Sequence, residues 1–226
     1  MKAILFDYGG TIDSDGRAWL ERFRPFYAEA GVDPGPAGFD RAFYDSDDSL
    51  PKRFSLSGLS LEQTLVLQTR CVLESLAPGK TALAEAIAGR FLEESREAFR
   101  RNRPMLERLS RRYRLAVVSN FYGNLRPVLK SEGLLELFGV VADSGAVGAI
   151  KPDAALFMHA LKALGCDPAS ALMVGDSIPR DMRGAEALGM AHALLAPKEK
   201  PSCCAAALRL TALTGLEAAL ASRIPA

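Results

Sequence analysis

The chain has 226 residues, of which 49% are hydrophobic and 24% charged, with a formal net charge of +1. That length suits one catalytic domain with a modest insertion or one large domain, and the composition excludes wholesale disorder. The near-neutral charge argues against a dedicated nucleic-acid binder, and no apolar run approaches the ~20 residues of a membrane span.

The run Ala3-Ile4-Leu5-Phe6 predicts a buried strand over residues 2–7. A strand that starts this early leaves no room for a secretory signal, so a cytoplasmic location is expected. Trp19, Phe23, Phe26 and Tyr27 fall on one face of a helix over residues 17–30. The segment from Gly31 to Gly38, with Pro34 and Pro36, breaks that helix, and a polar loop is expected around Asp45, Asp47 and Asp48. Ser60 and Gln63 form a capping box that opens a helix to about Leu76, stopped by Pro78-Gly79. A third helical pattern runs from Thr81 towards Arg101. No core-type strand occurs between residues 17 and 103, so this stretch is expected to be a helical insertion.

Pro104 then marks a fresh start. Helices are expected over residues 105–113, 124–132, 152–164 and 182–188, alternating with strands at Leu115–Ser119, Val140–Ala142, Ala171–Val174 and Ala191–Leu195. The segment Ala206–Leu213 offers an edge strand, with a short helix through Leu220. Strands alternating with helices demand a parallel sheet covered on both faces, an α/β fold. Cys71 and Cys166 are isolated and Cys203-Cys204 are adjacent, with no metal-ligand spacing, so reduced, packed thiols are expected. His159 and His192 lack ligand partners nearby in sequence and are expected to be structural.

The pentapeptide Asp7-Tyr8-Gly9-Gly10-Thr11 carries the strongest chemical signal. A buried strand ending in a lone carboxylate, then turning through two glycines into a hydroxyl, presents a nucleophile at a sheet's C-terminal edge. Peptide N–H groups freed by the turn can cradle an anion beside it. Val117-Val118-Ser119-Asn120, Ile150-Lys151-Pro152 and Val174-Gly175-Asp176-Ser177 follow in order, with Asp181 close behind. Singly, each has a plainer explanation: Asp7 as a turn former, Asp176-Ser177 as a helix N-cap, Lys151 as solvated charge. Jointly, their order and their place at strand ends point to chemistry on an anion.

Together these four motifs resemble the haloacid dehalogenase-like (HAD) hydrolase superfamily. The resemblance implies a Rossmann-like core of residues 1–13 and 104–226. It also implies a helical cap domain of the C1 type at residues 14–103, with linkers near 13–16 and 101–104. The implied activity is that of a Mg²⁺-dependent phosphatase acting on a small phosphorylated metabolite, with neither nucleic acid nor membrane as partner. Asp7 would be the nucleophile and form an aspartyl-phosphate. Asp7, Asp176 and the backbone carbonyl of Gly9 would hold Mg²⁺, supported by Asp181. Ser119 and Lys151 would act on the phosphoryl group, with Gly10, Thr11 and Asn120 as further phosphate contacts and the Thr11 hydroxyl bracing the turn.

One position departs from the pattern. The family's phosphatases carry an aspartate two residues after the nucleophile, where this chain has Gly9. That aspartate acts as general acid and base, help worth ~10²–10⁴-fold in rate. Asp13 and Asp15 lie nearby, although a linker N-cap and solvated charge explain them more plainly. Among relatives without that aspartate, the haloacid dehalogenases carry tyrosine and need no acidic motif such as Asp176 with Asp181. The phosphonoacetaldehyde hydrolases carry alanine and use a cap lysine as a Schiff base. Lys52, expected in a loop, and Lys80 are the lysines of the insertion, and Lys52 is the better candidate for a substrate contact. Three readings stay open: a phosphatase, a carbon–phosphorus bond hydrolase, and a weakly catalytic phospholigand-binding or regulatory protein.

Overall fold

In the computed structural model, which describes residues 1–198 and 207–222, the chain enters strand β1 (Ala3–Phe6) and then a tight turn at Tyr8–Ile12. Helices α1 (Trp19–Glu29), α2 (Gly35–Arg53), α3 (Leu61–Leu76) and α4 (Ala84–Ser110) follow before the chain returns to the sheet as β2 (Arg114–Ser119). Helix α5 (Leu125–Ser131), strand β3 (Val140–Asp143), the single turn α6 (Ser144–Val147) and helix α7 (Ala154–Leu164) come next. Strand β4 (Ala171–Gly175), the short helix α8 (Arg183–Ala187), strands β5 (Ala191–Leu195) and β6 (Leu208–Leu210) and helix α9 (Leu216–Ala221) complete the described residues.

The strands form one parallel sheet in the order β3-β2-β1-β4-β5-β6. Both faces are covered, which is why β1 is apolar throughout rather than alternating. Ile4 and Phe6 face a core shared with α4, α5 and α9, while Ala3 and Leu5 face one shared with α7 and α8. Phe6 pairs with Val117 on one side and Val174 on the other. The chain therefore leaves β1, β2 and β4 at one edge of the sheet, beside the point where strand order reverses, and that edge is where such folds bind ligands.

Two expectations about the insertion give way. Residues 35–53 are helical rather than a break and a polar loop, because Phe39, Ala42, Phe43, Ser46 and Leu50 make a buried stripe beneath the acidic residues. Lys52 consequently sits exposed in the last turn of α2 and not in a loop. Pro104 does not restart the chain, since α4 runs through it. The buried stripe Ala98, Phe99, Asn102, Met105, Leu106 and Leu109 continues across the proline, and that packing outweighs the lost backbone hydrogen bond. The segment 101–104 is thus helix and not a loose linker. Near residue 182 the expected helix is a turn at Ile178–Met182 followed by α8.

Cys71 and Cys166 carry free thiols, whereas Cys203 and Cys204 lie outside the described residues. Among the described residues no helix is long and apolar enough to cross a membrane.

Candidate active site

Asp7 continues β1 in extended geometry, and the turn that follows is possible because Gly10 adopts φ 84°. A Cβ at Gly10 would also lie 2.5 Å from Asp176 Oδ2, so glycine alone lets the turn pass this close to the second carboxylate. The Asp7 oxygens are used unequally. Oδ1 accepts hydrogen bonds from Tyr8 N, Ser119 Oγ and Lys151 Nζ, each at 2.7 Å. Oδ2 has no donor among the described residues.

Lys151, 3% exposed, bridges Asp7 and Asp181, the latter at 2.6 Å. The Asp181 Oδ2 atom in turn accepts from Ser177 N at 3.0 Å. Asn120 was expected to touch phosphate, but its carboxamide is taken up by Lys151: Oδ1 accepts from Lys151 N at 2.7 Å and Nδ2 donates to Lys151 O at 3.2 Å. Asn120 thus positions the lysine.

Two further expectations for the first motif need correcting. The Gly10 N–H is donated to Asp13 Oδ1 at 2.7 Å and so is not open to a phosphate. The Thr11 hydroxyl is buried without a partner among the described residues, so Asp13 and not Thr11 braces the turn.

Asp13 is 1% exposed, and its Oδ2 accepts from Trp19 Nε1 at 2.6 Å and Arg22 Nη1 at 2.8 Å. Burial raises its carboxyl above the usual range, while Arg22 and the other donors pull it back. Asp15 is held by Leu213 N at 2.9 Å and Arg101 at 2.8 Å. Neither carboxylate is free to stand in as a general acid. Lys80 donates to the Gly31 carbonyl at 2.8 Å, and no contact ties Lys52 to the Asp7 cluster.

Supports absent from the sequence reading appear behind Ser119. Asp143, 3% exposed, accepts from Gly123 N, Gly145 N and Leu125 N at 2.8–2.9 Å and shapes the loop after β2. Ser144 Oγ pairs with the Phe121 backbone on both sides, at 2.9 and 3.0 Å. A strand ending in Asp-Ser before Gly145 was the only signal available, and it resembles an ordinary cap.

Asp7, Asp176 and Asp181 each offer an oxygen within 4.8 Å of the others, and Lys151 is the ammonium paired with Asp7 and Asp181. Burial, then Asp7, then Asp181 push the Asp176 carboxyl well above the usual range, and no hydrogen-bond donor reaches it among the described residues. Asp181 is pushed up to about 6, chiefly by burial, against the pull of Lys151. Surplus negative charge on an all-oxygen donor set fits a hard divalent cation such as Mg²⁺.

The family description of haloacid dehalogenase-like hydrolases matches residues 1–189. A phosphoserine phosphatase from Thermus thermophilus is 30% identical over 219 residues, covering 84% of this chain and 86% of that protein. The haloacid dehalogenase-like hydrolase domain-containing protein 3 of Bos taurus is 44% identical over 86 residues, 38% of this chain, which spans only 34% of that relative's length. The crystal structure of a HAD phosphatase from Thermococcus onnurineus superposes with a TM-score of 0.60 at 25% identity, covering 97% of this chain and 98% of that one. The chain belongs to the haloacid dehalogenase-like hydrolases.

Proposed function

We propose that the protein is a Mg²⁺-dependent phosphatase that transfers the phosphoryl group of a small metabolite to Asp7 and then to water. One observation carries this reading: a buried carboxylate whose Oδ1 is held by Ser119, Lys151 and Tyr8 N while Oδ2 meets no donor among the described residues. Oδ2 is the oxygen assigned to attack phosphorus. With substrate bound, the Ser119 hydroxyl would turn from Asp7 Oδ1 to a phosphoryl oxygen, and Lys151 would give it the N–H not used by Asp7 and Asp181 and offset its charge, with Asn120 holding Lys151 in place. Asp7 and Asp176 with the Gly9 carbonyl would hold Mg²⁺, and Asp181 would support them. When bound, the cation neutralises charge that would otherwise repel an anionic nucleophile from an anionic substrate. In this reading the helices between β1 and β2 are a C1-type cap that selects the substrate, and Gly9 replaces the usual acid–base aspartate.

The relatives that carry phosphatase names support the class and leave the substrate open. Phosphate release from a panel of monoesters and acyl phosphates tests the proposal. Turnover should require Mg²⁺, vanish with chelator, and fall more than about 10³-fold in Asp7→Asn, which keeps shape but removes the nucleophilic charge. An Asp7→Asn variant within tenfold of the parent would reject Asp7 as nucleophile.

A further inference from the structure

Gly9 and Gly10 are glycines for different reasons. Gly10 needs its positive φ and its clearance from Asp176. Gly9 has φ −74° and ψ 124°, a conformation open to any residue, so its backbone does not demand glycine. What crowds a side chain there is Trp19. A Cβ on Gly9 would meet the indole at 3.0 Å from Nε1, 3.3 Å from Cδ1 and 3.6 Å from Cε2. The ring is held firmly. Its N–H is donated to buried Asp13 at 2.6 Å, Phe91 meets its face edge-on at 5.0 Å between centroids, and Phe121, from the loop after Ser119, packs at 5.9 Å. The volume beside Gly9 is therefore occupied by the indole, which would have to give by a few tenths of an ångström to admit a Cβ. An indole N–H already bonded to a carboxylate gives no proton to a leaving group.

We propose that Trp19 is a specificity-determining residue, which plugs the acid–base position and restricts the enzyme to phosphoryl groups on acidic leaving oxygens. This rests on the phosphatase reading above. The substrate class is then acyl phosphates, enol phosphates and aryl phosphates. In the first step the Asp7 Oδ2–P bond forms and the bond from phosphorus to the leaving oxygen breaks. The leaving oxygen keeps the electron pair and departs as a carboxylate, enolate or phenolate, needing no proton. In the second step water attacks phosphorus and passes a proton to a phosphoryl oxygen. Asp7 is regenerated as carboxylate. An alkyl alcohol would have to leave as alkoxide: the indole crowds the position beside Gly9, the oxygens of Asp13 are occupied by Gly10 N, Trp19 and Arg22, and Lys151 is engaged with Asp7 and Asp181.

The experiment is a leaving-group series on the full chain with Mg²⁺: acetyl phosphate, 4-nitrophenyl phosphate, phenyl phosphate and glycerol phosphate, each as kcat/KM. Parent, Gly9→Asp, and the double variant Gly9→Asp with Trp19→Ala are compared, with folding checked by circular dichroism. For the parent, kcat/KM should fall steeply as the leaving group becomes less acidic, by at least about 10²-fold from 4-nitrophenyl to glycerol phosphate. Gly9→Asp alone should gain little on glycerol phosphate, because its Cβ is blocked. The double variant should gain at least about tenfold there and almost nothing on acetyl phosphate, which flattens the series. A flat parent series overturns the proposal without any variant. Equal gains in the single and double variants, or a folded double variant with no gain, also overturn it. No turnover of any compound by the parent instead rejects the phosphatase reading itself.

Discussion

Arg22 and Asp13 form an ion pair at 2.8 Å with both side chains essentially out of solvent. Arg22 also donates to Ser95 Oγ at 2.8 Å and lies 3.8 Å over the Phe91 ring. Asp13 relies on Arg22 for its countercharge, while Arg22 also has Glu94 at 3.3 Å, and an isolated buried charge costs several kcal/mol. Arg22→Met should therefore destabilise the fold by about 3–5 kcal/mol, a fall of roughly 10 °C in Tm, because it strands the Asp13 charge. Arg41→Ala, which breaks an ion pair exposed by 86% and 71%, should change stability by under about 0.5 kcal/mol. Thermal melts of the two variants check this contrast, and equal shifts would contradict it. Asp13 is thus a bracket for the Gly10 turn and for Trp19, a role that depends on α1 folding back so that Trp19 and Arg22 reach its carboxylate.

Helix α2 meets the loop after β2 through Asp47, which accepts from Tyr122 Oη at 2.6 Å and from Gln68 of α3 at 3.0 Å. Burial pushes the Asp47 carboxyl up to about 6, the Tyr122 and Gln68 donors lower it, Asp48 raises it and Arg180 lowers it. The folded value lies above that of an unfolded aspartate, ~3.9. Its stabilising contribution is therefore fully present below ~3.9 and is lost as pH rises through about 6. Asp47→Asn keeps an acceptor for Tyr122 and removes the titration. Between pH ~5 and ~8 the variant should lose about 1–2 kcal/mol less stability than the parent, read from urea midpoints at each pH. Parallel pH curves would count against it. At this scale the strands and the capping-box helix α3 were legible in the sequence, because period and caps are local signals. Helix α2 was hidden by its acidic outer face, and the length of α4 by Pro104. In both, the deciding term is a buried stripe that only tertiary packing reveals.

Across the whole molecule, the helices α1–α4 and one face of the sheet share a continuous core that joins Phe23, Phe39 and Phe91 to Phe6, Val117 and Val174. Asn102 of α4 donates to Ile12 O at 3.1 Å, another buried tie between insertion and core. Three of the four motifs were readable because Asp7, Ser119 and Asp176 stand at the ends of β1, β2 and β4, which the sheet brings together, whereas Lys151 stands at no strand end and reaches Asp7 from the loop between α6 and α7. Trp19 beside Gly9 was not readable, since it depends on how α1 folds back over the first turn. A nucleophilic Asp7 becomes phosphorylated during turnover. The most direct measurement is acid quenching during steady-state hydrolysis of acetyl phosphate with Mg²⁺, followed by peptide mapping by mass spectrometry. One phosphoryl group is expected on the peptide containing Asp7, localised to that residue and absent in Asp7→Asn. Sustained phosphate release with no phosphoryl group at Asp7, or with one on another residue, would contradict it.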